Sequence, residues 1–194
     1  MDVQLTDFDG DWDLDFLGIN RGTNGGVNHY LMLNDGTGTF SDASNLLPTT
    51  SASVYEAEVS DLDGDRDTDI FFLSLTGFQE GPVQNLLVEN GALGFAAGTL
   101  LPGAVDDNEV VLIDYDQDGD LDVMIGSLGV RERMYRNDGG LSFTPVNGRI
   151  EALSDSTLDA GVGDLDNDGD YDLITAQGES NSAQWINKVY LNNG

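Results

Sequence analysis

The amino-acid sequence predicts an all-β protein, and more narrowly a β-propeller built from four four-stranded blades, the last of them incomplete. Three observations carry this. A nine-residue acidic loop recurs four times at a period of 50 to 54 residues. A second marker, an Asn/Asp-Gly turn, follows each loop at a similar distance. The segments between are short apolar runs of strand length, with no amphipathic helical stretch of useful length. Four strands per unit at this period is the pattern of a propeller blade.

The acidic loops come first in each unit. They are Asp7-Phe8-Asp9-Gly10-Asp11-Trp12-Asp13-Leu14-Asp15, Asp61-Leu62-Asp63-Gly64-Asp65-Arg66-Asp67-Thr68-Asp69, Asp114-Tyr115-Asp116-Gln117-Asp118-Gly119-Asp120-Leu121-Asp122 and Asp164-Leu165-Asp166-Asn167-Asp168-Gly169-Asp170-Tyr171-Asp172. Every odd position is Asp, and both position 2 and the residue after position 9 are always apolar. Five carboxylates packed this tightly repel one another unless a cation sits among them. A hard divalent cation takes six to eight oxygens at short range, which an alternating Asp loop supplies. Calcium is the expected ion, about four per chain. Position 6 must bend through φ > 0, which glycine does without steric cost. Trp12 and Arg66 occupy it in the first two copies, where a non-glycine costs about 1–2 kcal/mol, so those two sites are expected to be weaker or reshaped.

The rest of each unit follows in order. A lead-in strand (Val54 to Ser60, or Val110 to Ile113) enters the loop. An apolar strand leaves it: Phe16–Ile19, Ile70–Leu73, Val123–Gly126 or Leu173–Ala176. A third strand, such as Tyr30–Leu33 or Lys188–Leu191, runs into the turn marker. The markers are Leu33-Asn34-Asp35-Gly36, Val88-Glu89-Asn90-Gly91, Arg136-Asn137-Asp138-Gly139 and Leu191-Asn192-Asn193-Gly194. Such Asn/Asp-Gly pairs between apolar runs are strong hairpin signals. Phe40, Phe95 and Phe143 then mark a fourth strand in three copies. Residues 1–194 read as a single repeat array, with blades at about 1–50, 51–104, 105–155 and 156–194.

These loops and turns resemble the FG-GAP/VCBS repeat family, whose repeats form the blades of integrin-α-type propellers, and the resemblance spans nearly the whole chain. It implies a calcium in the loop between the first and second strands of each blade. Side chains at positions 1, 3, 5 and 9 would be ligands: Asp7, Asp9, Asp11, Asp15; Asp61, Asp63, Asp65, Asp69; Asp114, Asp116, Asp118, Asp122; Asp164, Asp166, Asp168, Asp172. Asp13, Asp67, Asp120 and Asp170 would offer their backbone carbonyls. Members usually close with seven blades, so a longer chain or a homo-oligomer is expected to complete the ring.

Composition limits the partners. Thirty-six acidic residues face seven basic ones, for a formal charge of −29, which repels nucleic acid and anionic membranes. No cysteine is present, so neither disulfides nor thiolate metal sites exist. No apolar run reaches the length of a membrane span. His29 is the sole histidine and reads as a loop or surface residue. No Ser-His or Cys-His constellation can be built, and nothing pairs the 16 Asp and Glu outside the loops as a hydrolase would need; an enzyme is not expected. Arg131, Arg133 and Arg136 read as partners of the acidic surface. Trp12, Trp185, Tyr55 and Phe78 read as packing between blades, with sugar-stacking platforms as the alternative. The expected function is a calcium-stabilised extracellular or cell-surface module for protein or glycan binding and adhesion. A lectin with pockets between blades, or a non-catalytic part of a polysaccharide-degrading enzyme, is the alternative.

Overall fold

In a computed structural model, the described residues are 2–20, 29–49, 54–74, 80–101, 107–150, 155–178 and 186–194. Phe78 and Trp185 lie outside them. The protein is all-β, and its strands fall into two units, Met1–Gly103 and Ala104–Gly194.

The first unit holds two four-stranded antiparallel sheets. One runs in chain order through β1 (Asp2–Thr6), β2 (Asp15–Ile19), β3 (Tyr30–Asn34) and β4 (Phe40–Asp42). The other runs through β5 (Val54–Ser60), β6 (Asp69–Ser74), β7 (Gly81–Asn85) and β8 (Phe95–Ala97). The second strand of each is the most buried, as expected for an apolar run with covered faces; all six residues of β6 are buried. Phe8, Leu17, Leu31, Ala57, Ile70 and Phe72 form the heart of a core to which both sheets contribute.

The second unit contains β9 (Asp107–Ile113), β10 (Asp122–Val130), β11 (Arg133–Asn137) and β12 (Phe143–Val146), followed by β13 (Asp155–Gly163), β14 (Asp172–Gln177) and β15 (Lys188–Tyr190). The far end of β10 also pairs with β13, so all seven strands form one sheet. Its core gathers Val111, Ile113, Tyr115, Met124, Met134 and Leu173.

Register places the acidic loops. Thr6 pairs with Asp15, Ser60 with Asp69, Ile113 with Asp122 and Gly163 with Asp172. Position 9 of every loop is therefore the first residue of a second strand, and the loop is the hairpin connection into it. Phe40, Phe95 and Phe143 open the fourth strands, as the sequence predicts.

Two expectations need correction. In the second repeat the turn marker is not register-equivalent to the others: residues Leu87–Asn90 form a one-turn helix, α1, closed by Gly91 at φ +64°. The residue matching Asn34, Asn137 and Asn192 is Asn85, five positions before Asn90. His29 is not a surface residue. It is buried, tilted against the Phe72 ring at 5.2 Å, and burial lowers its pKa. Of the arginines, Arg133 pairs with buried Asp107 at 2.5 Å and Arg136 with Asp138 at 2.5 Å.

Candidate metal centres

Each acidic loop is folded by its own carboxylates. The position 1 side chain accepts N–H groups from the far side of the loop. Asp7 takes those of Gly10 (2.8 Å) and Trp12 (2.8 Å), Asp61 those of Gly64 (2.8 Å) and Arg66 (3.0 Å), Asp114 those of Asp118 and Gly119 (both 3.2 Å), and Asp164 that of Gly169 (3.2 Å). Position 5 accepts the N–H of position 7 in all four copies, at 2.9–3.0 Å. Such short side-chain-to-backbone bonds fix turns that no helix or ladder stabilises.

The left-handed positions are the same in every copy, but the glycine is not in the same place. Position 6 has positive φ in all four loops: Trp12 (74°), Arg66 (82°), Gly119 (97°) and Gly169 (98°). So has position 4: Gly10 (79°), Gly64 (85°), Gln117 (59°) and Asn167 (63°). Two left-handed residues are required and each loop supplies one as glycine. The first pair of copies places it at position 4, the second pair at position 6.

Position 9 does two jobs. Asp15, Asp69, Asp122 and Asp172 are all buried. In each, Oδ2 accepts the N–H of loop position 2 at 2.7–3.0 Å. Oδ1 accepts the N–H of an asparagine at the end of the third strand, or two residues beyond it for Asn192, at 2.8 Å in all four copies. The aspartate thus ties the loop to the third strand. The asparagine side chains extend the tie. Asn85 Nδ2 donates to the Phe8 carbonyl of the preceding repeat at 2.9 Å, and Asn192 Nδ2 to the Tyr115 carbonyl at 2.7 Å.

These ties bring carboxylates together. Oxygens of positions 1, 3 and 9 lie within 4.8 Å of one another in every copy: Asp7/Asp9/Asp15, Asp61/Asp63/Asp69, Asp114/Asp116/Asp122 and Asp164/Asp166/Asp172. Ligands on one calcium lie at 2.3–2.6 Å from it, so two of them are at most about 5 Å apart. The triads meet that limit, and an all-oxygen donor set suits a hard cation. Asp9 Oδ1 is buried without a hydrogen-bond partner among the described residues, which a cation beside it would correct. These clusters could therefore hold metal ions. Positions 5 and 7 do not join the triads. Asp13, Asp120 and Asp170 turn their carboxylates toward the glycines of the Asn/Asp-Gly turns, and a Cβ on Gly36 would collide with Asp13.

Electrostatics fit the same reading. Burial, then neighbouring carboxylates, raise Asp9 and Asp166. Burial also raises Asp63 and Asp116. Burial carries Asp69 and Asp122 up to about 7, against the pull of their backbone N–H bonds. A divalent cation removes that cost by compensating the charge.

The second loop carries features the sequence did not signal. Helix α1 brings Glu89 to Asp63 and Asp65, forming a further carboxylate triad. Gln84 Nε2 bridges Asp63 (2.8 Å) and Glu89 (2.6 Å). Asp67, expected to contribute only its carbonyl, is buried and accepts the Val88 N–H at 3.0 Å, anchoring α1 to the loop.

Grooves open beside the loops in each unit. In the first, Phe95 covers Phe8 edge-on, with ring centroids 6.0 Å apart, while a groove of about 280 Å³ runs between loops one and two, lined by Trp12, Arg66 and Thr68 among others. In the second, the face of Tyr115, the counterpart of Phe8, borders a cavity of about 180 Å³ with Arg149, Tyr171 and Tyr190.

Comparison with known proteins bears on the repeats and the fold. The pattern of the FG-GAP-like repeat matches residues 7–72 and 114–175, well over half of the chain. A solved structure of similar fold is that of an Agrocybe aegerita lectin, described for its specific recognition of non-reducing terminal N-acetylglucosamine. The two share 20% identity at a TM-score of 0.59; the match covers 90% of this chain and 46% of the lectin's. Curated protein sequences give no match. Among the described residues no helix is long and apolar enough to cross a membrane.

Proposed function

The chain belongs to the FG-GAP-like repeat family, and we propose that its four repeats are blades of a calcium-braced β-propeller acting outside the cell as a glycan-binding module. The observation that carries the calcium assignment is the fourfold convergence of positions 1, 3 and 9, with an unpartnered buried oxygen on Asp9. Positions 5 and 7 complete the oxygen shell, through the Asp11-type side chains and the Asp13-type carbonyls. Calcium is structural in this reading: it neutralises carboxylates that tie each loop to its blade and does no chemistry itself. No enzymatic step is assigned.

Glycan stands ahead of protein as ligand because a lectin shares the fold and grooves with aromatic walls lie beside the loops. The extracellular assignment rests on affinity. We expect these loops to bind calcium with dissociation constants in the range of extracellular modules, about 10⁻⁴–10⁻³ M, and so to stay empty at cytosolic calcium. Native mass spectrometry and titration calorimetry test the reading. Four calcium ions per chain are expected, and three for Asp116→Ala. Unchanged stoichiometry in that variant overturns the site, and submicromolar affinity removes the case for an extracellular address.

A further inference from the structure

We propose that the groove between the first and second acidic loops is a carbohydrate site, with the Trp12 indole as platform for one pyranose ring and Arg66 and Thr68 as hydrogen-bonding partners of its hydroxyls. The inference rests on the glycan-binding reading above and gives it a place.

Backbone strain points there first. Position 6 is left-handed in every loop, yet only loops three and four give it to glycine. Loop one gives it to Trp12 and loop two to Arg66. Non-glycine residues at position 4 of the other loops have structural explanations. Gln117 reaches across to loop four, donating to the Gly169 carbonyl and the Asp170 carboxylate, and Asn is tolerated in this conformation through its short polar side chain. Trp12 has no such explanation: its side chain is 93% exposed and packs into no core. A strained residue that nothing else in the fold requires is a mark of function.

The second signal is Arg66. The chain has seven basic residues against thirty-six acidic ones, and Arg66 sits in an acidic loop without forming an ion pair among the described residues. Its guanidinium remains available to donate. Thr6 and Thr68 face each other in the same groove with hydroxyls 3.4 Å apart, and Thr68 also donates to the Asp7 carbonyl at 3.3 Å. Leu87, whose Cδ2 lies 3.2 Å from a Cβ position on Gly10, closes one wall.

Together these are the elements a pyranose needs. Its apolar C–H face stacks on an indole, while the hydroxyls around its edge need donors and acceptors. A groove of about 280 Å³ lies just below the usual range for small-molecule sites, about 300–1,000 Å³, which suits one ring rather than a buried chain. Loops three and four carry glycine at position 6 and have no counterpart of Trp12 or Arg66 there; the aromatic walls of the second unit's cavity are tyrosines instead, Tyr115, Tyr171 and Tyr190.

The test is a glycan array probed with the calcium-loaded full chain, wild type against Trp12→Gly, Trp12→Phe and Arg66→Ala. Trp12→Gly is expected to cut the bound signal about tenfold or more, the value of one aromatic stacking contact, while Trp12→Phe keeps part of it. Thermal melts of the same samples show that the fold is retained. If Trp12→Gly binds the same glycans as strongly as wild type, the groove is not the site, although the glycan-binding reading stands. If the folded, calcium-loaded wild type binds no glycan at all, both fall. In that case the calcium assignment is still judged by metal stoichiometry.

Discussion

Replacing Trp12 by glycine should make the protein more stable. Trp12 holds φ at +74°, a conformation that costs a non-glycine residue roughly 1–2 kcal/mol. Glycine removes that cost but gains freedom in the unfolded chain, a loss of about 0.4–1 kcal/mol. Taking the middle of each range, the net gain is about 0.8 kcal/mol. Little else changes, since the side chain is 93% exposed and the N–H bond to Asp7 (2.8 Å) is a backbone bond that glycine keeps. For a unit of about a hundred residues, 1 kcal/mol moves the melting temperature by roughly 4–8 °C, so a rise of about 3–6 °C is expected. The assay is calorimetry and urea denaturation at saturating calcium, with Trp12→Ala as the control that keeps the strain. Alanine should give no comparable gain. If alanine stabilises as much as glycine, the benefit comes from removing an exposed indole and the strain argument fails; if glycine lowers the midpoint, the argument fails outright.

Other perturbations probe the remaining parts of the fold. Chelation should lower stability sharply, because each unit holds two position 1/3/9 triads and a site at a hundredfold its dissociation constant contributes about 2.7 kcal/mol; an unchanged melt refutes calcium bracing. In the chelated protein, stability should fall as pH rises from about 5 to about 8. Asp69 and Asp122 have folded pKa values raised from 3.8 to about 7. The folded state therefore holds their protons more tightly, and the stability this confers is lost as pH climbs through the folded values. Urea midpoints that rise over that interval would contradict it. Asn85→Ala should destabilise the first unit by about 2–3 kcal/mol, since it strips donors from the Phe8 and Thr68 carbonyls and an acceptor from the Leu87 N–H. A loss no larger than that of an exposed Asn→Ala change would show that the tie carries no weight.

How legible these features were depends on whether the backbone alone imposes them. Asp at positions 1, 3 and 9 and the left-handed turn at position 6 are local demands, repeated four times, and the sequence displays them openly. The second left-handed residue, at position 4, was half visible as a glycine that moved. The tie made by Asn85 was hidden, because Asn90-Gly91 offers a convincing turn close by and the asparagine-to-aspartate spacing itself varies between 15 and 20 residues. Burial of His29 and the approach of Glu89 to Asp63 depend on strand pairing and on α1, which no local pattern announces. This contrast bears on Trp12 and Arg66. Where a sequence breaks a local rule, the fold normally shows the compensation: Gln117 breaks one and gains a bond to the neighbouring loop. Trp12 breaks the same kind of rule, yet its side chain stays 93% exposed and, among the described residues, makes no hydrogen bond. A ligand in the groove beside the indole, as proposed above, would supply the compensation that the described residues do not.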